Sequence, residues 1–339
     1  MSLHYTCAFQ YNNVMDNATL KPAVTALPCR QLLFALLALF CVTPWASPPL
    51  ALALGMALAL TLGNPFPALS KKLAQGLLQG CVVLLGFGMN LAVVAKAGAS
   101  GAAFAAGSIT LTFALGYFLK GRLHIPRKTS ALISAGTAIC GGSAIAAVGA
   151  VIGAAEGEMT VALGTVFVLN AVALFVFPPI GHALGLTQTQ FGTWAGIAIH
   201  DVSSVVGAAS RYGTVALQTA TAVKLARALW IIPVSLAASW LFHRNTGLDQ
   251  TPGKIQIPWF IGLFLLASAT RTWLPGVAAL TPTITHGATA GLALTLFLIG
   301  TGLSRETLKA VGWKPMAQGI ALWLCISAGS LWVIIRVVR

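Results

Sequence analysis

The sequence predicts an all-α polytopic membrane protein of about eleven transmembrane helices, arranged as an inverted-repeat transporter fold with broken helices at mid-membrane. Three observations lead there. Hydrophobic residues make up 57% of the 339 residues and charged residues only 8%, against about 25% charged in soluble domains. Apolar runs recur from Arg30 to the C-terminus with short polar stretches between them, the pattern of serial membrane spans. Two of these runs carry paired glycines or ionisable residues where a crossing helix would reach the bilayer centre.

In chain order the spans are expected at Leu32–Trp45, Leu50–Gly63, Leu73–Val94, Gly101–Leu119, Ala131–Gly153, Met159–Ile180, Phe191–Ala209, Leu217–Phe242, Trp259–Trp273, Ile284–Leu303 and Met316–Val338. The first is short, with Trp45 placed to sit at an interface. Pro178-Pro179 and Pro233 are expected to end or kink their spans, because proline cannot donate to the helix ladder. With the N-terminus inside, thirteen of the 20 Lys and Arg lie on the inner side, five on the outer side and two within the eighth span. That excess sets the N-terminus in the cytoplasm and the C-terminus in the periplasm of a bacterial inner membrane. Glu156 and Glu158 then fall in an outer loop and are read as solvated, while His4, His124, His182 and His243 are read as tail or interfacial residues.

Residues 1–29 read as a cytoplasmic tail and 30–339 as the transporter domain. The leading segment is long and weakly basic, and Ser47-Pro48-Pro49 is a poor cleavage site, so no signal peptide is expected. The formal charge of +14 forms no basic face or motif, which argues against a nucleic-acid partner. Cys7, Cys29, Cys41, Cys81, Cys140 and Cys325 show neither C-x-x-C spacing nor pairing with histidine, so no metal, cofactor or disulfide framework is expected. The expected partners are the lipid bilayer and a small inorganic or organic anion, with room for a homodimer.

One internal echo stands out. Gly86-Phe-Gly88 closes the third span and Gly300-Thr-Gly302 the tenth, with Gly98 and Gly312 following at the same interval. Three and ten differ by an odd number, so the copies would run in opposite directions, as in inverted-repeat transporters. The alternative is small-residue packing between helices. Because a single span follows Gly312, a repeat here is incomplete or permuted.

Candidate chemistry gathers in three places. In the fifth span, Thr137, Cys140, Gly141, Gly142 and Ser143 lie about 18 Å along a helix entering near Thr129. Adjacent glycines loosen the backbone, and free N–H groups at a half-helix N-terminus suit an anion; tight helix packing is the competing reading. In the seventh span, His200 and Asp201 lie about 14 Å deep, with Ser203 and Ser204 on the next turn. An ionisable residue at that depth is a functional candidate by default, and histidine is suited to carrying a coupling proton. A structural pair satisfied by a neighbouring helix is the alternative. Lys224 and Arg227 share one face of the eighth span and either line an anion path or snorkel to the outer interface. His286, beside Gly287, is a weaker candidate for the same cavity.

The motifs Ile139-Cys140-Gly141-Gly142-Ser143-Ala144-Ile145, Gly196-Ile197-Ala198-Ile199-His200-Asp201-Val202 and Val223-Lys224-Leu225-Ala226-Arg227 resemble the YeiH-type family of bacterial inner-membrane proteins, labelled sulfate exporters. The likeness runs from about Leu50 to the C-terminus and includes Ile257-Pro258-Trp259-Phe260 and Gly302-Leu303. It implies kinship with cation/proton antiporters and bile-acid symporters, and so a scaffold, a core of crossed broken helices, and rocking or elevator movement. In that family the histidine is followed by Glu and then by a Gln; here Asp201 and then Ser203 and Ser204 stand instead.

Together these readings predict a secondary transporter of sulfate, sulfite or an organic sulfonate, exporting and proton-coupled, and not an enzyme. Thr137, Cys140, Gly141, Gly142, Ser143, Ser203, Ser204, Lys224 and Arg227 are expected to bind substrate, and His200 and Asp201 to gate or carry a proton. The rivals are a cation/proton antiporter on the same fold, an intramembrane enzyme, or a sensor. An enzyme is disfavoured by the lack of an H-E-x-x-H motif or nucleotide loop.

Overall fold

The computed structural model describes residues 20–243, 259–303, 305, 309 and 311–338, and no strand occurs among them. The α-helices are α1 (Leu20–Cys41), α2 (Pro48–Thr61), α3 (Pro67–Gly86), α4 (Leu91–Leu123), α5 (Arg127–Ala138), α6 (Gly142–Val151), α7 (Glu156–Ala183), α8 (Gln188–Ala198), α9 (Val202–Tyr212), α10 (Thr214–Ala228), α11 (Ile231–His243), α12 (Trp259–Trp273), α13 (Thr281–Gly300) and α14 (Trp313–Val337). Among the described residues, α7, α13, α14 and the continuous Thr214–Phe242 segment are long and apolar enough to cross a bilayer. The chain is an all-α polytopic membrane protein.

Local signals set the helix starts. Proline opens α2 and α3, where its missing N–H costs nothing. Asn90 caps α4 by accepting from the Ala92 N–H at 2.8 Å, and Thr187 with Gln190 forms a capping box on α8. Pro233 cannot bond back to Leu229, which accounts for the break between α10 and α11. Pro178-Pro179, by contrast, do not end their helix: α7 runs on to Ala183. The helix α1 begins at Leu20, within the stretch read as a tail; the rest of that stretch, with His4 and Cys7, lies outside the described residues, as do Arg244, Lys254, Ile257 and Pro258.

Two segments read as crossings turn back instead. Lys128 at the start of α5 donates from Nζ to the Gly153 carbonyl beyond α6 at 2.6 Å. A through-going helix would hold those residues about 35 Å apart, so Ala131–Gly153 is a re-entrant hairpin. The second is Phe191–Ala209. The rings of Phe191 on α8 and Tyr212 on α9 stack at 3.8 Å, and the Tyr212 hydroxyl donates to the Leu186 carbonyl at 2.6 Å. Each arm is ten to twelve residues long, about 15–18 Å, and reaches mid-depth before the chain reverses.

The hairpins enter from opposite faces. One face carries Arg127, Lys128, Ser130 and Gln318, joined by a 2.8 Å bond from Gln318 Nε2 to Ser130 Oγ; we call it the basic face. The other carries Leu186, Tyr212 and Val338, whose carbonyl accepts from Gln190 Nε2 at 2.7 Å. The reversals cancel, so the eighth and later spans keep their expected sense. Between the hairpins the sense changes: Glu156 and Glu158 join Arg127 and Lys128 on the basic face, and His182 moves to the opposite one. Glu158 caps its own helix, accepting from the Ala155 N–H at 2.9 Å.

Helices α1, α2, α3, α12 and α13 pack into one body, and α4 to α11 with α14 into another. Arranged as α2, α3, α4, α5–α6, α7 against α12, α13, α14, α8–α9, α10–α11, every element of the second set runs opposite to its counterpart. This is an inverted repeat in permuted order. The glycine echo falls on it. Gly86 of α3 lies against Phe264 and Ala267 of α12, and Gly300 of α13 lies against Leu52 and Met56 of α2.

Candidate functional site at the hairpin tips

The hairpin tips meet. A Cβ on Gly141 would lie 3.4 Å from the Asp201 Cβ and 3.5 Å from its Cα. Four helix ends therefore converge at mid-depth: the C-termini of α5 and α8 and the N-termini of α6 and α9. Helix termini carry unpaired backbone groups and partial charges of opposite sign, so the chemistry of the site depends on what finishes each end.

Two fully buried cations from α10 finish the C-termini. Lys224 donates from Nζ to the Ile199 carbonyl at 2.6 Å. Arg227 donates from Nε to the Ala138 carbonyl at 2.5 Å and from Nη1 to Ser108 Oγ at 3.0 Å. Both side chains are 0% exposed. Snorkelling to an interface is thereby corrected: the bend of the chain puts α10 between the tips, not at a membrane surface.

The α9 N-terminus is finished by Asp201. Its Oδ2 accepts from the Ser203 N–H at 3.0 Å and also from the Ser203 hydroxyl, the expected geometry for an aspartate N-cap. Asn170, midway along α7, completes this tip by accepting at Oδ1 from the His200 N–H at 3.0 Å and the Asp201 N–H at 3.1 Å.

The α6 N-terminus is different. Its N-cap is Gly141, at φ +66°, with no side-chain cap. The positive φ accounts for glycine at this position. Around the tips lie buried polar atoms without a hydrogen-bond partner: Thr137 Oγ1, Asn170 Nδ2, both ring nitrogens of His200, and Arg227 Nη2. Each of these groups can donate.

Thr137, Cys140, Gly141, His200, Asp201, Ser203, Lys224 and Arg227 thus surround one region; Cys140 and His200 both feel the charges of Lys224 and Arg227. Gly142 starts α6 against Leu163 and Phe167 of α7. Ser204 is buried on α9, whereas Ser143 is exposed on α6, away from the buried group. Sequence reasoning missed Asn170 and Ser108. Asn170 had a signal, as the amide within an otherwise apolar span; Ser108 had none.

The tips also share a sequence. Ala135-Gly136-Thr137-Ala138-Ile139 and Ser143 align with Ala195-Gly196-Ile197-Ala198-Ile199 and Ser203 at a constant offset of sixty residues. The repeat seen in helix direction is therefore written in the residues at its centre.

Residues 29–319 match the family model described as Conserved hypothetical protein 698. A UPF0324 membrane protein from Bacteroides thetaiotaomicron is 52% identical over 289 residues, covering 85% of this chain and 86% of that protein. The chain belongs to the UPF0324 membrane protein family. A second UPF0324 protein, from Bdellovibrio bacteriovorus, is 47% identical over 305 residues, covering 90% of this chain and 94% of its own. A third, from Geobacter sulfurreducens, is 46% identical over 298 residues, covering 88% and 94%. No solved structure matches this UPF0324 chain.

Proposed function

We propose that this UPF0324 member is a secondary transporter that carries a small anion, namely sulfate, sulfite or an organic sulfonate, between the hairpin tips. One observation carries the reading: buried donors on Thr137, Asn170, His200 and Arg227 stand unpartnered beside a helix N-terminus whose N-cap is a glycine. Buried polar groups without partners are costly, and a tetrahedral or planar oxyanion supplies acceptors for several donors at once. Lys224 and Arg227 against the single carboxylate of Asp201 leave the region electropositive. The basic face is the cytoplasmic one on the positive-inside rule, with the N-terminus there and the C-terminus in the periplasm of a bacterial inner membrane. His200 is the group that exchanges a coupling proton.

The test is flux into proteoliposomes. Radiolabelled sulfate, sulfite or taurine-like sulfonate should cross at least tenfold faster than in empty vesicles. Arg227→Gln should lose nearly all of that flux, and His200→Gln its dependence on a pH gradient. A folded wild-type protein that moves none of these anions overturns the proposal.

A further inference from the structure

On the face opposite the basic one, a cleft of about 330 Å³ opens at the seam between the two bodies. Gln218 and Thr221 of α10 form one wall, and Thr285, His286 and Thr289 of α13 form the other. Gln218 Nε2 donates across the seam to the Gly88 carbonyl at 3.0 Å. No carboxylate lines the cleft.

The threonine hydroxyls donate to their own helices: Thr221 to the Leu217 carbonyl at 2.7 Å, Thr285 to Thr281 and Thr289 to Thr285 at 2.8 Å each. The threonine hydroxyls and Gln218 are thus already committed, and Leu85, Met89, Leu217 and Pro282 make most of the remaining lining apolar. Such walls leave room for water and offer an ion no strong partner to hold it. Along α10, Thr214, Gln218 and Thr221 share one face at helical spacing. Lys224 lies one turn below Thr221, about 4.5 Å deeper, and Arg227 one turn further.

We infer that this cleft is the vestibule by which a hydrated oxyanion passes between the tip site and the face opposite the basic one. The identity of the ion rests on the transport reading; the accessibility of the cleft does not.

The test is cysteine accessibility in sealed membrane vesicles of both orientations. Thr285→Cys and Thr289→Cys are introduced into a chain whose native cysteines are serine except for the buried Cys140, and the chain without either substitution is the labelling control. Each is treated with membrane-impermeant methanethiosulfonates bearing a sulfonate or a trimethylammonium group. Both positions should label from the face that carries the C-terminus. At Thr289→Cys the sulfonate reagent should react on the order of ten-fold faster than the cationic one, because buried positive charge raises local anion concentration. Millimolar sulfate should slow it. Leu324→Cys, exposed on the outside of α14, should stay silent, and labelling after denaturation confirms that each variant is present. Silence at both threonine positions, or a faster cationic reagent, overturns the vestibule. Flux with silent cysteines removes the vestibule alone; labelling with no flux removes the transport reading alone.

Discussion

At the α8–α9 tip, Asn170, Asp201 and Lys224 take up the chain ends: two amides bond to Asn170, one to Asp201, and the Ile199 carbonyl holds Lys224. At the α5–α6 tip Arg227 takes the Ala138 carbonyl, and the glycine-capped start of α6 has the Cys140 sulfur against its Ala144 N–H. The same turn, repeated in inverted orientation, is thus finished at one tip by an aspartate and an asparagine and at the other by a glycine and a thiol. Under the proposed transport function, the ligand belongs at the glycine tip and the histidine tip holds it in place.

Substitutions at four positions probe that contrast. The largest effect is expected from Asn170→Ala, which strands two buried amides at about 1–3 kcal/mol each. Its thermal unfolding in detergent should shift down by several degrees, with Asn170→Asp retaining much of the stability because an acceptor remains. No shift would mean that the histidine tip is not held by Asn170. Gly141→Ala is next. A side chain at φ +66° and 3.4 Å from Asp201 carries a strain of order 1–3 kcal/mol, and it also fills the open helix end. Flux should fall more than stability does; equal losses would return the glycine tip to simple packing. The smallest effects separate the paired serines. Ser203→Ala should cost about 1 kcal/mol, the size of a helix-cap bond, while exposed Ser143→Ala should leave both stability and flux within error. A strong flux defect in Ser143→Ala would put the ligand on the outer side of α6.

Much of this was legible in the residues. The apolar runs located most helices within a few residues, and Trp259–Trp273 coincides with α12, but α1 begins twelve residues before Leu32, α4 ten before Gly101, and α3 ends eight before Val94. The interruptions at Gly141 and His200 were visible because glycine pairs and ionisable groups are out of place at mid-depth. What hydropathy could not report was reversal: an arm of ten apolar residues, a break and another such arm has the profile of one crossing. The fates of Glu156, Glu158 and His182 followed from that ambiguity. The roles of Lys224 and Arg227 were hidden for a related reason, since a cation near a span end and a cation between two hairpins look alike until the neighbours are known. The sixty-residue correspondence between the tips was present in the sequence throughout, and matching the residues around Ile139 and Ile199 reveals it.

Each hairpin is also fastened at its open end. Lys128 ties the first to Gly153, and the second is closed by the Phe191–Tyr212 stack, while Gln188 Oε1 accepts from the Val215 N–H at 2.9 Å. A loop clamped at mouth and apex cannot swing like a flap. Under the proposed transport function, a movement that opens the site to each side would carry both hairpins along whole, with their charges and their shared turn as fittings of a single block.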